Sequence, residues 1–519
     1  MLHDVASVLI DGETLTIDGV RQVAEEGTLV GLSRSAVARA RASREALEDF
    51  VRRNVPVDGA TSFGRSGVVR VGADEVSELQ ANLIRSHSTG IGPLFAEDEA
   101  RAIVVAQLNS LAKGYSAVRP AILERLVEYL NDGLTPAVPE IGSLGAGGDA
   151  TPLAHIASTL IGEGHVLRDG KRVETARALR ERGVQPLRLS FKEGRALIGG
   201  TSAMTGLGSL VVARALDQVR QAEVAAALVT EALGGSAEHC LAAGHDLARP
   251  HLGQIDTAAN LRELLRGGAA AVPSTGGAPT GSRAPWAYSL RAVPQVVGAV
   301  RHTLYQAVST LETELNSAQD DPLFFADQEV FHGANGHGQP IAFAMDFATI
   351  ALVQLGVLAE RQLQQLLNAG PGNGLPSFLT AADPALHNGF AGAQFPASAL
   401  VAENRTIGPA STQGVPFAGT AHDVVSMGLV AARGARRVLE NNNRILAVEF
   451  LAAAQAVDVS RRFDDLGPAA QAAYDAVRSL TPMLGVDRSM AEDVELMATA
   501  LAQGEVLRAV GRYGDFVPR

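Results

Sequence analysis

Apolar residues recur at three- and four-residue spacing over most of the chain, the period of a helix that buries one face. The first such stretch, SRSAVARARASREALEDFVRR from Ser33, opens on a serine suited to a helix start. Two more follow, DEVSELQANLIRSHS from Asp74 and EDEARAIVVAQLNSLAKG from Glu97. Beyond residue 200 the runs lengthen, and 206–235, 294–316, 341–363 and 425–457 read as long alanine- and leucine-rich helices. The first thirty residues differ: the short apolar pieces SVLI and LTI, punctuated by Gly12 and Gly19, predict small strands or turns. Residues 54–72 and 142–152 are loop-like, and DGKRVETARALRERG from Asp169 reads as a small surface excursion. Gly/Pro-rich loops fall at 266–285 and 368–378. The pattern predicts a mixed amino-terminal domain over 1–200 and a long-helix domain over 201–519.

Composition narrows this picture. Aromatic residues make up only 4%, with Trp286 the sole tryptophan, so core volume must come from Ala, Leu and Val in closely packed helices. With 44 Lys+Arg against 56 Asp+Glu, the net charge of −12 argues against nucleic acid or an anionic membrane as partner. Cys240 is the single cysteine, which leaves no intrachain disulfide or cysteine-based zinc site and fits a reducing, cytoplasmic compartment. The amino terminus shows no basic region followed by an apolar core, so no signal peptide is expected. The very apolar stretch from Ile341 contains Asp346 and Gln354, which predicts a helix buried in protein rather than a membrane span.

Candidate chemistry begins with IGSLGAGGDATPLAHIA, 141–157. A phosphate-binding loop of the Walker type needs Lys-Ser/Thr after its last glycine, and here Asp149 follows. Nor does the spacing match a dinucleotide fingerprint. The segment resembles the G-S-x-G-A-S-G-D-x-x-P-L-A-H signature of the histidine and phenylalanine ammonia-lyase family. Further stretches resemble that family in the same order: LQANLIRSHSTGIG (79–92), LNSLAKGYSAVRP (108–120), RPHLGQ (249–254), AYSLRAVPQVVG (287–298), NSAQDDPLFF (316–325), GANGHGQP (333–340), AERQLQQLLN (359–368) and AENRTIGPAS with HDVVSMG (402–428). The resemblance implies a mainly α, fumarase/aspartase-like long-helix bundle with a smaller mixed amino-terminal domain. It also implies a small-molecule substrate and a homotetramer whose active sites combine residues of three subunits.

Several positions depart from the family pattern. Its Ala-Ser-Gly triplet cyclises to the methylidene-imidazolone electrophile (MIO), and the serine side chain supplies the methylidene carbon. Here the triplet is Ala146-Gly147-Gly148, and glycine has no β-carbon. The loop tyrosine that acts as base is matched by Val57 or Asp58; the Asn of Asn-Gly-Thr by Gly199; the Gln of Gln-Asp-x-Tyr-Ser-Leu-Arg by Pro285; the Phe of Gly-Asn-Phe-His-Gly by Gly336. His422 stands where histidine lyases carry a glutamate.

What the resemblance retains can still do acid–base work. Arg291 matches the arginine that grips a substrate carboxylate, Asn335 the asparagine that assists it, and His87 the position that reads the substrate side chain. Tyr288 is a candidate proton donor or oxyanion partner, and His422, His87 and Asp58 are candidate bases. His332 and His337 flank a glycine-rich loop without a third metal ligand, so no metal is expected. The main expectation is therefore an MIO-independent lyase without external cofactor. It would run β-elimination, or the reverse addition or cyclisation, on a carboxylate- or carbonyl-bearing molecule, with a good amine leaving group as in ergothionase. Two alternatives stand beside it: a catalytically silent binding or scaffold homologue, and an ordinary histidine or aromatic amino acid ammonia-lyase whose MIO serine has been replaced.

Overall fold

A computed structural model describes residues 7–52, 61–62, 69–70, 75–271, 287–325, 330–368, 374–415 and 423–512, with backbone alone at 61–62 and 69–70. The chain is mainly helical, as the apolar period and the resemblance both predict. Four helices dominate: Ser202–Ala232, Val293–Leu315, Gln339–Leu367 and Gly428–Ser460. Strands among the described residues form five small sheets of two or three strands. Two compact units emerge. One holds Met1–Ala213, Ala307–Asp346 and Pro409–Arg433; the other holds Arg214–Gln306, Phe347–Gly408 and Gly434–Arg519.

The first unit is built around the helix Glu97–Ala112, nearly all of whose residues are buried. Its first turn carries Glu97, Asp98 and Glu99, charges that suit the positive end of a helix, and Glu99 accepts a hydrogen bond from the Ala96 amide at 3.1 Å. Buried Arg101 on that helix donates to the carbonyls of Val23 and Leu130, a task a long planar cation can perform without a carboxylate. At the amino terminus, strands Ser7–Ile10 and Leu29–Leu32 pair in parallel. The piece LTI is not a strand. Thr16 instead caps the helix Ile17–Ala24 by accepting from the Gly19 amide at 3.1 Å, and a local cap outweighs the short β-like run. The surface excursion after Asp169 is a hairpin, His165–Arg168 with Lys171–Glu174, followed by the helix Thr175–Glu181.

The second unit joins its helices by close approach and by buried polar links. A β-carbon on Gly253 would stand 2.1 Å from the Gly298 carbonyl oxygen, so the helices Leu252–Leu264 and Val293–Leu315 meet backbone to backbone there. Nearby, Arg301 and Glu223 form a fully buried ion pair at 2.6 Å, and Asn260 donates to the other Glu223 oxygen at 2.8 Å. Within the same unit Asn442 donates to the Leu352 carbonyl at 2.7 Å.

The helix Gln339–Leu367 is long and apolar enough to cross a membrane, and 67% of its most apolar window is buried inside the protein. Burial of that kind is what a core helix shows.

Candidate active site

The glycine-rich loop lies in the first unit, between strand Pro139–Ile141 and the helix Ala150–Leu160. Its path uses backbone that side chains disfavour: φ is +73° at Gly145, +69° at Gly147 and +109° at Gly148. Gly148 forms a parallel bridge with Gly200, and a β-carbon at 148 would stand 2.3 Å from the Gly200 carbonyl oxygen.

Asp149 fixes the end of this loop. Its amide donates to the Gly200 carbonyl at 2.8 Å. One carboxylate oxygen accepts from the Ser143 hydroxyl and the other from the Met204 amide, both at 2.7 Å. Met204 lies in the first turn of the helix Ser202–Ala232, so a carboxylate from a separate segment caps that helix. Burial pushes the Asp149 carboxyl up to about 6, against the lowering effect of those hydrogen bonds.

A second carboxyl, the half-buried Glu314, accepts from the Thr201 hydroxyl, and desolvation raises its pKa as well. Gln319 completes this corner: its carbonyl oxygen accepts from the Thr201 amide and the Ser202 hydroxyl, each at 3.1 Å. Lys192 is buried and paired with Asp320; desolvation lowers its pKa, and the Asp320 charge opposes that shift.

Two further segments close on the loop. A β-carbon at Gly336 would be 2.7 Å from the Gly147 carbonyl oxygen, so 333–338 packs directly on the triplet. Met427 takes φ +59° and donates its amide to the Leu144 carbonyl at 3.0 Å. Beside it, the Ser426 hydroxyl is buried without a hydrogen-bond partner, against Gly145.

Of the residues singled out from the sequence, the first unit brings together Ala146, Gly147, Gly148 and Gly336, with Asn335 adjacent and exposed. Asn335 makes one long hydrogen bond, 3.4 Å, to the Ala318 carbonyl. His87 ends the helix Val76–His87, and its Nδ1 lies 2.8 Å from the Leu83 carbonyl of the same helix. Tyr288 and Arg291 belong to the second unit, on the single helical turn Tyr288–Arg291. The Arg291 guanidinium lies 4.3 Å from the centre of the Tyr288 ring, and Tyr288 is 73% exposed. Asp58 and His422 lie outside the described residues.

Sequence reasoning missed Asp149, Glu314, Gln319 and Ser426. Asp149 was visible as part of the motif but served only to exclude a Walker loop. Glu314 precedes the NSAQDDP stretch and gave no local signal of burial.

Long central helices and a glycine loop held at a helix amino terminus define the architecture of the ammonia-lyase class. The sequence model of the aromatic amino acid lyase family matches residues 15–479, and the chain belongs to that family. It is 62% identical over 527 residues to the MIO-dependent tyrosine 2,3-aminomutase of Streptomyces globisporus, covering 99% of this chain and 98% of that protein. It is 50% identical to the tyrosine ammonia-lyase of Cupriavidus metallidurans, covering 97% and 98%. The crystal structure of tyrosine aminomutase from Streptomyces globisporus matches with a TM-score of 0.94, covering 99% of this chain and 100% of that one.

These relatives overturn two expectations. An MIO-independent lyase is not the best description of a chain that aligns end to end with an MIO-dependent aminomutase and a tyrosine ammonia-lyase. Likewise, the expectation of no cofactor does not stand beside a relative that is an MIO-dependent enzyme. The alternative of an ordinary aromatic amino acid ammonia-lyase with a replaced serine accommodates both.

Proposed function

We propose that the chain carries the site of an aromatic amino acid ammonia-lyase or aminomutase, and that its substrate is an aromatic α-amino acid of the tyrosine type. The observation that carries this reading is the 62% identity, over 99% of the chain, with a tyrosine 2,3-aminomutase. Arg291 binds the substrate carboxylate: stacking on the Tyr288 ring leaves its N–H edge available for a bidentate contact. By the family resemblance Asn335 is a carboxylate contact, Tyr288 a donor of a proton or hydrogen bond and His87 a contact of the substrate side chain, in sites that combine residues of several subunits. Asp149 and Gln319 hold the backbone that supports the triplet.

The triplet fits the relatives' group in part. Positive φ at Gly147 and Gly148 turns the backbone tightly, and the partnerless Ser426 hydroxyl offers a hydrogen bond beside Gly145. The fit fails at one atom: the methylidene carbon comes from the β-carbon of the middle residue, and Gly147 has none. No step is therefore routed through that group in this chain. Gly147 stands where the family carries the serine.

The substitution Gly147→Ser tests this directly. Intact mass should fall below the calculated value by two water molecules, the signature of ring closure with dehydration. Calorimetry should show L-tyrosine binding to both proteins, weakened by Arg291→Ala. A Gly147→Ser protein of full calculated mass, with no tyrosine binding by either chain, sinks the reading.

We further propose a homotetramer, which the family resemblance supports. The exposed apolar side chains of Phe347 and Ile350, three residues apart on one helix, give such an assembly a surface to bury.

A further inference from the structure

A cleft of about 560 Å³ opens in the first unit and is lined by none of the residues given roles above. Its lining includes the apolar side chains of Ile91, Leu94 and Pro139 and the basic ones of Arg85, Arg172 and His155. Its volume falls within the range of roughly 300–1,000 Å³ typical of small-molecule sites. Ile91 is 66% exposed, which leaves an apolar side chain open to solvent at this cleft.

The charges around the cleft are not balanced. Glu163, the one carboxylate in its lining, is already engaged by Arg85 through Nε at 3.0–3.1 Å and through Nη2. Among the described residues, the acceptor for Arg172 is the Nδ1 of His165 at 3.2 Å. His155 takes the Gly90 amide on its Nε2 at 3.0 Å, so in the neutral ring the proton sits on Nδ1 and is available to donate. Burial lowers the His155 pKa, and the Arg172 charge adds to that effect. The cleft thus carries, among the described residues, a guanidinium without a carboxylate partner and an imidazole N–H beside apolar side chains.

We propose that this cleft binds an amphipathic organic anion of the aryl carboxylate class. The carboxylate meets Arg172 and His155 Nδ1, and the ring lies on Ile91, Leu94 and Pro139. The cleft is linked to the glycine loop by a hydrogen bond and a strand pairing. Gly90 is tied to His155, Ile91 pairs with Ile141, and Gly142 opens the loop that ends at Asp149. The proposal rests on the cleft's own lining and stands independently of the catalytic reading.

The test uses the full chain and 4-hydroxycinnamate as probe, measured by calorimetry, with inorganic phosphate as a second titrant. The expected result is a binding event that survives Arg291→Ala but weakens by about tenfold in Arg172→Ala and more in Arg172→Glu. These variants lie on an exposed hairpin and should melt at the unsubstituted temperature. Binding unchanged in both Arg172 variants overturns the proposal, even if Arg291→Ala abolishes it, because the probe then occupies the site described above. Phosphate binding as tightly as 4-hydroxycinnamate also overturns it, since the apolar side chains would then contribute nothing. Loss of the Arg291-dependent event alone tells against the catalytic reading and leaves the cleft supported.

Discussion

Asp149 shows how much one buried carboxyl can determine at the candidate site. It holds the loop end, caps the helix Ser202–Ala232 and sits in surroundings that disfavour its charge. Its folded pKa, about 6, lies above the ordinary aspartate value of 3.8, so the folded state binds the proton more tightly. The stabilisation from that proton is complete below about pH 4 and is lost as pH rises through 6, a swing of about 3 kcal/mol at ~1.4 kcal/mol per unit. Asp149→Asn should therefore flatten the fall in thermal stability between pH 4 and pH 6. An identical slope in the variant would place the titrating group elsewhere. Gly148 makes a steric counterpart. With φ +109° and the Gly200 oxygen 2.3 Å from where a β-carbon would stand, Gly148→Ala should cost on the order of 3 kcal/mol in denaturant unfolding. The need for glycine at 148 was legible in the motif. The partners of Asp149 were not, because Met204 and Gly200 lie some fifty residues on, where nothing in the local pattern points back to the loop.

At the scale of elements, the long helices were the most legible part of the chain. Their apolar period extends over many turns, and residues 294–316 became Val293–Leu315 almost unchanged. The helix expected from 425 instead begins at Gly428, because Met427 adopts a left-handed conformation to place its amide on Leu144. Thr16 likewise begins a helix where a small strand or turn was expected. Both misses occur where a single hydrogen bond, invisible to periodicity, decides the boundary. The polar links between helices were also hidden. Glu223 and Arg301 lie 78 positions apart, each inside an apolar helix, and pair with no exposure to water. Glu223→Ala leaves the guanidinium buried without its counter-charge and should cost about 3–5 kcal/mol. Replacing both residues by Met and Leu should recover most of that loss. If the single substitution shifts the urea midpoint no more than the double, the pair is not what stabilises this crossing.

For the whole molecule, the order of motifs along the chain identified the family, since collinear stretches from 79 to 428 constrain a fold more tightly than any one site residue. The same breadth of similarity corrected the functional reading, as departures at a few positions do not erase identity across 99% of a chain. Assembly is the remaining property at this scale. Phe347 and Ile350 are 56% and 60% exposed, and large apolar side chains in such a pair gain most when a second copy covers them. Light scattering after size exclusion should report about four times the 54.0 kDa chain mass. The double substitution Phe347→Glu and Ile350→Glu places like charges on that surface and should shift the population to smaller species, with helix content unchanged by circular dichroism. An unsubstituted chain that elutes as a monomer at micromolar concentration would remove the tetramer from this account. A tetramer indifferent to both glutamates would move the contact surface away from this helix face. In that second case the assembly would survive, and the apolar side chains of Phe347 and Ile350 would need another occupant.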